Sequence, residues 1–187
     1  MEIMMDKFLL DKNEVVLVIV DIQERLAAVM TDRKRVVDNS LHLIEVSRLL
    51  KIPILLNEQY PKGLGPTINE IREALHPYDP LEKVTFSCCR GGSFLDALAV
   101  SGRKKVILAG METHVCVLQT VIDLLKTGYQ VHVVKDATCS RTLDNFTAGA
   151  EFMRDAGAVI TCTETVLFQL LERAGTDEFR AVSKRIK

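Results

Sequence analysis

The sequence contains no tryptophan, and aromatic residues make up only 5% of its 187 residues. Packing must therefore come mainly from aliphatic side chains. Hydrophobic residues still account for 48% of the chain, which excludes the composition typical of intrinsic disorder. No linker, repeat or low-complexity segment divides the sequence. A chain of this length and composition predicts one domain, spanning residues 1–187, with a sizeable core.

The sequence also lacks an excess of either charge, because 24 lysines and arginines face 25 aspartates and glutamates. The basic residues Arg180, Lys184 and Arg185 near the C-terminus lie close to Asp177 and Glu178, as on a solvated helix end. Binding to nucleic acid depends largely on positive charge facing the phosphates. No nucleic-acid partner is therefore expected.

Long apolar runs are missing too, since the longest, Val15–Val20, is far too short to cross a membrane. The first residues include Glu2, Asp6, Asp11 and Glu14, which is unlike a signal or transit peptide. The five cysteines form no C-x-x-C pair, so neither a zinc site nor a disulfide framework is indicated. These features favour a reduced, cytoplasmic protein that does not associate with membranes.

Short β-branched runs alternate along the chain with segments of helical periodicity. Predicted strands cover residues 15–20, 54–56, 83–88, 106–109, 131–134 and 158–161, and helical patterns cover 33–50, 67–75, 93–102, 113–128, 145–156 and 166–171. This alternation predicts an α/β fold of three α/β/α layers around a mostly parallel six-stranded sheet. No G-x-G-x-x-G follows the first strand, so dinucleotide binding is set aside.

The stretch from Lys104 to Gly128 presents a cysteine after a strand. Gly110 breaks the strand, and Thr113 is a suitable N-cap for the helix that follows. Cys116 would then lie near the third helical position, where the helix dipole and free N–H groups lower a thiol pKa. The alternative is that Cys116 is a small buried side chain of a packed helix.

Polar residues follow several of the predicted strands. Asp21 follows the first, Asn57 and Glu58 follow the second, and Cys116 comes shortly after the fourth. The carboxyl ends of parallel strands lie at one edge of the sheet, where ligands bind. Lys83 stands at the head of the third strand, where a charge needs a partner. Asp21 could instead be a simple cap, and Lys83 a solvated strand end.

Three segments, VVLVIVDIQ, EKVTFSC and ILAGMETHVCV, resemble the isochorismatase-like cysteine hydrolases. The resemblance extends from about residue 15 to 171. It implies a Rossmann-like sheet of about six strands and a catalytic triad of Asp21, Lys83 and Cys116. It also implies a cis peptide between Met111 and Glu112 that turns the Glu112 N–H toward an oxyanion, beside the N–H of Cys116.

The predicted chemistry follows from these residue types. Asp21 would accept the thiol proton, Lys83 would favour negative charge, and the Cys116 sulfur would attack an amide-like carbonyl of a small molecule to form a thioester. No cofactor is needed. Family members commonly form homo-oligomers, so a dimer or larger assembly is expected. Candidate pocket residues, each of which could instead serve simple packing, are Gln23, Leu26, Tyr60, Phe86 and His114.

The sequence departs from two branches of the family. Nicotinamidases carry a metal-binding D-x-H after the second strand, whereas this chain has Asn57, Glu58 and Gln59. Its four histidines do not supply the missing spacing, so no metal site is expected. True isochorismatases cleave a vinyl ether without a cysteine nucleophile, so Cys116 favours the amide-hydrolysing branch.

Isochorismatase-type or nicotinamidase activity stays open as an alternative within the family, and two further alternatives come from other classes of protein. The chain could be a non-catalytic, oligomeric binding protein of the same fold. It could also be a thiol redox sensor that pairs Cys116 with Cys89 or Cys139. Cys88 and Cys89 are predicted on alternate faces of a strand or its end, whereas Cys139 follows the fifth strand and Cys162 lies in the sixth strand segment.

Overall fold

The computed structural model describes residues 5–186, in which six parallel strands form one sheet in the order β3-β2-β1-β4-β5-β6. The strands are β1 (Val15–Val20), β2 (Ile54–Gln59), β3 (Leu81–Lys83), β4 (Lys105–Met111), β5 (Gln130–Cys139) and β6 (Val159–Thr161). The helices are α1 (Glu24–Ala27), α2 (Arg33–Leu49), α3 (Pro61–Leu64), α4 (Asn69–Ala74), α5 (Phe94–Val100), α6 (Leu118–Lys126), α7 (Leu143–Asp155), α8 (Thr163–Leu171) and α9 (Asp177–Ser183). The predicted three-layer α/β fold is confirmed.

Strand β1 lies in the middle of the sheet, between β2 and β4, and all six of its residues are apolar and buried. Its alternate side chains point to opposite faces of the sheet. Leu17 and Ile19 pack in the core under α2 and α8, whereas Val16 and Val18 pack in the core under α5, α6 and α7. A strand covered on both faces shows the continuous apolar run seen in the sequence.

The third strand lies earlier than predicted, at Leu81–Lys83 rather than 83–88. Its last pairing is between Lys83 and Gln59, and Gln59 is the end of β2. Beyond Lys83 the strand has no partner, so the chain turns away. Cys88 and Cys89 consequently lie in a short 3₁₀ turn and not on a strand. Lys83 thus ends its strand at the carboxyl edge instead of beginning it.

The helix predicted from Thr113 also begins later, at Leu118. Residues Thr113–Val117 form a single π-helical turn, in which the N–H of Val117 donates to the carbonyl oxygen of Glu112, five residues back, at 3.2 Å. Such turns occur often at functional sites. Cys116 lies inside this π-turn, and not in the first turn of a regular α-helix.

Two smaller sequence predictions are wrong. Thr67 and Glu70 have the spacing of a capping box, which predicts a helix start at Thr67. The box does not form, because the Thr67 hydroxyl donates instead to Glu58 Oε1 at 2.7 Å and α4 begins at Asn69. Cys162 is the N-cap residue of α8 and not part of β6, while Cys139 is the last residue of a longer β5.

Gly110 allows the two central strands to approach at the functional edge. It pairs with Val20, the residue before Asp21, and has φ +137°. A Cβ at this position would lie 2.0 Å from the carbonyl oxygen of Val20. No side chain can occupy that space without separating β1 from β4.

We predict that Gly110→Ala lowers the free energy of unfolding by more than about 4 kcal/mol or prevents folding, because it combines a backbone clash with an unfavourable φ. Denaturant unfolding followed by circular dichroism measures the change. Gly102→Ala is the matched control, because Gly102 has φ +66° but nothing within 4 Å of its Cβ position. Equal losses in the two variants would contradict the role assigned to Gly110.

Candidate active site

Asp21 and Lys83 form a buried ion pair at the carboxyl edge of the sheet. Lys83 Nζ lies 2.7 Å from Asp21 Oδ2, and the exposed fractions of the two side chains are 2% and 0%. Asp21 directly follows β1 and Lys83 ends β3, and these two strands are separated by β2. The long lysine side chain reaches across this middle strand, so only the folded sheet brings the two charges together.

Gln59 completes the environment of the lysine. Its Oε1 accepts a hydrogen bond from Lys83 Nζ at 2.8 Å, and its Nε2 donates to the carbonyl oxygen of Val84 at 2.9 Å. Sequence reasoning considered Gln59 only as the place of an absent metal ligand. The signal that could have identified it is its position at the end of the strand between Asp21 and Lys83.

Cys116 lies beside this pair and is almost buried, with 6% of its surface exposed. Asp21 Oδ2 binds Lys83, whereas Oδ1 is buried and makes no hydrogen bond of good geometry within the described part of the chain. The thiol of Cys116 is close enough to Asp21 for each to shift the pKa of the other. The second carboxylate oxygen is therefore available to the thiol proton.

Burial and charge compete at both members of the ion pair. Burial raises the pKa of Asp21, and the neighbouring Lys83 only partly reverses this, so the net shift is upward. Burial alone would lower the pKa of Lys83, but the charge of Asp21, followed by Cys88 and Cys116, outweighs it and raises the pKa. The lysine is held as an ammonium, and the aspartate is a stronger base than a solvated carboxylate.

The pKa of the Cys116 thiol is raised, contrary to the lowering predicted from its helical position. Burial is the largest cause, and the negative charge of Asp21 adds to it more than Lys83 subtracts. Because the π-turn replaces the expected helix end and a carboxylate faces the sulfur, the thiol keeps its proton in the free protein.

This raised pKa predicts that Cys116 reacts slowly with iodoacetamide at neutral pH, since the thiolate is the reactive form. The alkylation rate should keep rising above the pKa of about 8.5 of an unperturbed cysteine. Peptide mass spectrometry across a pH series measures the rate at Cys116, with free cysteine as the reference. A rate that levels off below pH ~8 would contradict the prediction.

Glu112 and His114 both contact the segment that follows β5. The Glu112 carboxylate accepts hydrogen bonds from the N–H and Nε of Arg141, each at 3.1 Å, and His114 Nδ1 lies 2.9 Å from Ser140 Oγ. The Met111–Glu112 peptide bond is cis. Glu112 thus lies immediately before the π-turn that carries Cys116.

The candidate pocket residues differ in their surroundings. The Gln23 amide is buried and binds the main chain of Gln59 on both sides, at 2.7 and 3.0 Å, so it holds β2 in place. Leu26 is half-buried against the core. Tyr60 and Phe86 are 53% and 54% exposed. The structure therefore places Gln23 in a supporting position and leaves the two aromatic rings on the surface.

Two cavities lie beside the two outermost strands of the sheet, β3 and β6. One of about 390 Å³ is lined by Tyr60, Pro61, Lys62, Glu82, Lys83, Val84, Gly91 and Gly92. A larger one of about 730 Å³ runs along the opposite edge strand, β6, and its lining includes none of Asp21, Lys83 and Cys116. Asp21 and Cys116 line neither cavity, but the smaller one reaches Lys83, the partner of Asp21 in the buried ion pair.

The other thiols do not favour the redox alternative. All five cysteines are free. Burial is the main cause that raises the pKa of Cys88 and of Cys139 to about 12. It also raises the pKa of Cys89 to about 11. Oxidants react with thiolates, which these groups do not supply near neutral pH.

Two features are absent from the described residues, 5–186. That range contains no group of three or more His, Cys, Asp or Glu side chains arranged to hold a metal ion. Within the same range, no helix has the length and apolar character needed to span a bilayer.

A family model described as the isochorismatase domain matches residues 15–165. The chain is 38% identical over 178 residues to isochorismatase domain-containing protein 2A of Mus musculus, which covers 92% of this chain and 82% of that protein. It is 36% identical over 178 residues to the secreted isochorismatase effector Isc1 of Phytophthora sojae, with 92% and 84% covered. The cytoplasmic location therefore stays a prediction.

Solved structures agree with this assignment. The MAR1 ribonuclease from Caenorhabditis elegans superposes with a TM-score of 0.87 at 35% identity over 95% of this chain and 91% of that one. YcaC from Pseudomonas aeruginosa, solved with hexane-2,5-diol and covalent acrylamide, gives a TM-score of 0.89 at 26% identity, with 95% and 91% covered. Fold and sequence together define an α/β protein of the hydrolase class. The chain belongs to the isochorismatase family, as its motifs predicted.

Proposed function

We propose that this protein is a cysteine-dependent hydrolase that cleaves an amide-like C–N bond of a small molecule through a thioester. The observation that carries the proposal is the buried Asp21–Lys83 pair beside Cys116, in which one carboxylate oxygen binds the lysine and the other is left for the thiol proton. A buried ion pair is costly to maintain for stability alone. Its position next to a nucleophile gives it a chemical use.

In the first step the Cys116 sulfur bonds to the substrate carbonyl carbon while its proton passes to Asp21. The carbonyl π-electrons move to oxygen, and the resulting oxyanion is bound by the main-chain N–H groups of Glu112 and Cys116. Lys83 stays protonated throughout. Its charge stabilises the negative charge as it moves from carboxylate to oxyanion.

In the second step the oxyanion collapses and the C–N bond breaks. The leaving nitrogen takes the proton from Asp21, which leaves an acyl thioester on Cys116 and an ionised carboxylate. Asp21 then removes a proton from water, whose oxygen attacks the thioester carbonyl. When the C–S bond breaks, the acid departs, and the sulfur recovers the proton from Asp21.

Two comparisons bear on the choice of chemistry. YcaC from Pseudomonas aeruginosa, a relative with the same fold, was solved with covalent acrylamide, which supports a reactive nucleophile in this family. Another relative is named a ribonuclease. The formal net charge of −1 on this chain does not favour RNA as its substrate. Hydrolysis of a small amide is therefore the better-supported function.

The experiment that tests the proposal is intact-protein mass spectrometry after brief incubation with a panel of small amides, with Cys116→Ala as the matched control. We expect an acyl adduct on the wild-type protein alone, and its mass identifies the acyl group. Turnover that persists in Cys116→Ala would overturn the assigned nucleophile. Neither adduct nor turnover with nicotinamide, carbamoyl and aliphatic amides would favour the non-catalytic binding protein.

We also propose that the protein is a homo-oligomer in which a second copy covers the apolar side chains near Lys83. Tyr60 and Val84, which line the cavity beside Lys83, are 53% and 77% exposed, and Phe86, two residues after Val84, is 54% exposed. Exposed apolar patches often mark protein interfaces. Light scattering should show a dimer or larger species, and Val84→Asp should shift it toward monomer. Val100→Asp, at an 88% exposed position on α5, is the control. A monomeric wild-type protein would contradict this proposal.

A further inference from the structure

The segment that connects β5 to α7 is joined to the π-turn of Cys116 at two points. Arg141 donates from both its main-chain N–H and its Nε to Glu112 Oε2, at 3.1 Å each. One residue earlier, Ser140 Oγ lies 2.9 Å from His114 Nδ1. These contacts connect residues more than twenty positions apart in sequence. They reach Glu112, which directly precedes the turn, and His114, which is its second residue.

Glu112 is held from two directions. Its carbonyl oxygen accepts hydrogen bonds from the N–H groups of Val115 and Val117, at 3.1 and 3.2 Å. Its carboxylate, with the side chain only 8% exposed, is held by Arg141. The main chain is thus fixed by the π-turn and the side chain by the neighbouring segment, which leaves the Glu112 backbone little freedom to rotate.

The helix that follows Arg141 supports the same region. A Cβ at Gly149 of α7 would lie 2.9 Å from the Cα of His114, so α7 packs against the backbone of the π-turn. The arginine itself is 59% exposed, and an ion pair with a partner so open to solvent contributes little to stability. A role in orientation accounts better for its two bonds to one carboxylate oxygen.

We propose that Arg141 is a positioning residue, which acts through the Glu112 carboxylate to hold the Glu112 N–H toward the oxyanion. This inference rests on the proposed function, in which that N–H is one of the two oxyanion donors. A donor stabilises an oxyanion only if its direction is fixed before charge develops. Arg141 supplies that constraint from outside the turn and does not touch the reacting atoms.

Two reactions of Cys116 separate this role from a general structural one. Acylation by p-nitrophenyl acetate passes through a tetrahedral oxyanion, whereas alkylation by iodoacetamide is a direct displacement at carbon without one. Both form a bond to the same sulfur. A change confined to the oxyanion donor therefore slows the first reaction and not the second.

We expect Arg141→Ala to slow single-turnover acylation by about 10–100-fold, a part of the 10²–10³ lost when an oxyanion donor is removed altogether. The alkylation rate at alkaline pH should be unchanged, and the loss should appear in kcat rather than KM. Arg141→Lys, which keeps a cation able to reach the carboxylate, should recover part of the rate. Arg33→Ala, which removes the exposed Arg33–Glu70 ion pair, is the matched control and should acylate normally.

An unchanged acylation rate in Arg141→Ala overturns the inference. An equal loss in acylation and alkylation overturns it as well, because that result indicates a general disturbance of the site. If Arg141→Ala does not fold, Arg141→Gln is measured in the same two assays under the same criteria. A wild-type protein that is not acylated, or a Cys116→Ala variant that is acylated equally, refutes the proposed function instead.

Discussion

Replacement of Asp21 by asparagine is expected to have opposite effects on turnover and on the reactivity of Cys116. Asparagine cannot accept the thiol proton, so kcat should fall by about 10³-fold or more, within the range for loss of a general base. The same change removes the negative charge that raises the pKa of the thiol, while the positive charge of Lys83 remains. The thiolate should become more abundant, and alkylation by iodoacetamide at neutral pH faster.

The measurement is a pair of rates, amide or ester turnover and Cys116 alkylation, over a pH series. The apparent thiol pKa from alkylation should be lower in Asp21→Asn than in the wild type. Cys116→Ala provides the zero for both rates. If alkylation slows together with turnover, Asp21 activates the resting thiol, and a transfer of the proton during attack is refuted.

Replacement of Lys83 by methionine is expected to give the largest loss of stability among the site variants. It leaves the Asp21 carboxylate buried, with no cation and with only the amide of Gln59 where the ammonium was bound. Breaking a buried ion pair by removing one partner costs about 3–5 kcal/mol. Such a loss is a large fraction of the total stability of a domain of this size. Urea unfolding at neutral pH measures it.

The double variant Asp21→Asn, Lys83→Met tests the origin of that loss. With neither charge present, no ion is buried without a partner, so the double variant should be more stable than Lys83→Met alone. The pH dependence gives a second check. The pKa of Lys83 is raised above 10.5 in the folded protein, so its contribution to stability is present below that pH and is lost as the pH rises through the folded value. Lys83→Met should lack this alkaline loss.

The sequence by itself determined the class of fold. The apolar run of β1 and the alternation of strands with helical segments are local patterns, and burial on both faces of a parallel sheet requires them. The order of polar residues after the strands also indicated Asp21 and Cys116, because the carboxyl ends of parallel strands must meet at one edge. These predictions depend only on periodicity and on the direction of the chain.

Tertiary structure decided where the elements end and how the site is charged. β3 stops at Lys83 because its partner β2 stops at Gln59, and no property of residues 84–88 themselves shows this. The Thr67 hydroxyl binds Glu58 rather than capping a helix, since the folded chain brings a buried carboxylate within its reach. Contacts between distant segments override local propensity in both cases.

The pKa of Cys116 is also a property that the tertiary structure decided and the sequence alone did not. A helix N-terminus predicts a lowered thiol pKa. That rule holds only when the helix is regular and neither burial nor a nearby negative charge outweighs the helix dipole. In this protein a π-turn replaces the helix end, and burial together with Asp21 raises the pKa. Gln59 and Arg141 likewise make their hydrogen bonds to residues distant in sequence. Electrostatic environments depend on which groups the whole fold brings together and on how much water it excludes, so only the tertiary structure decides them.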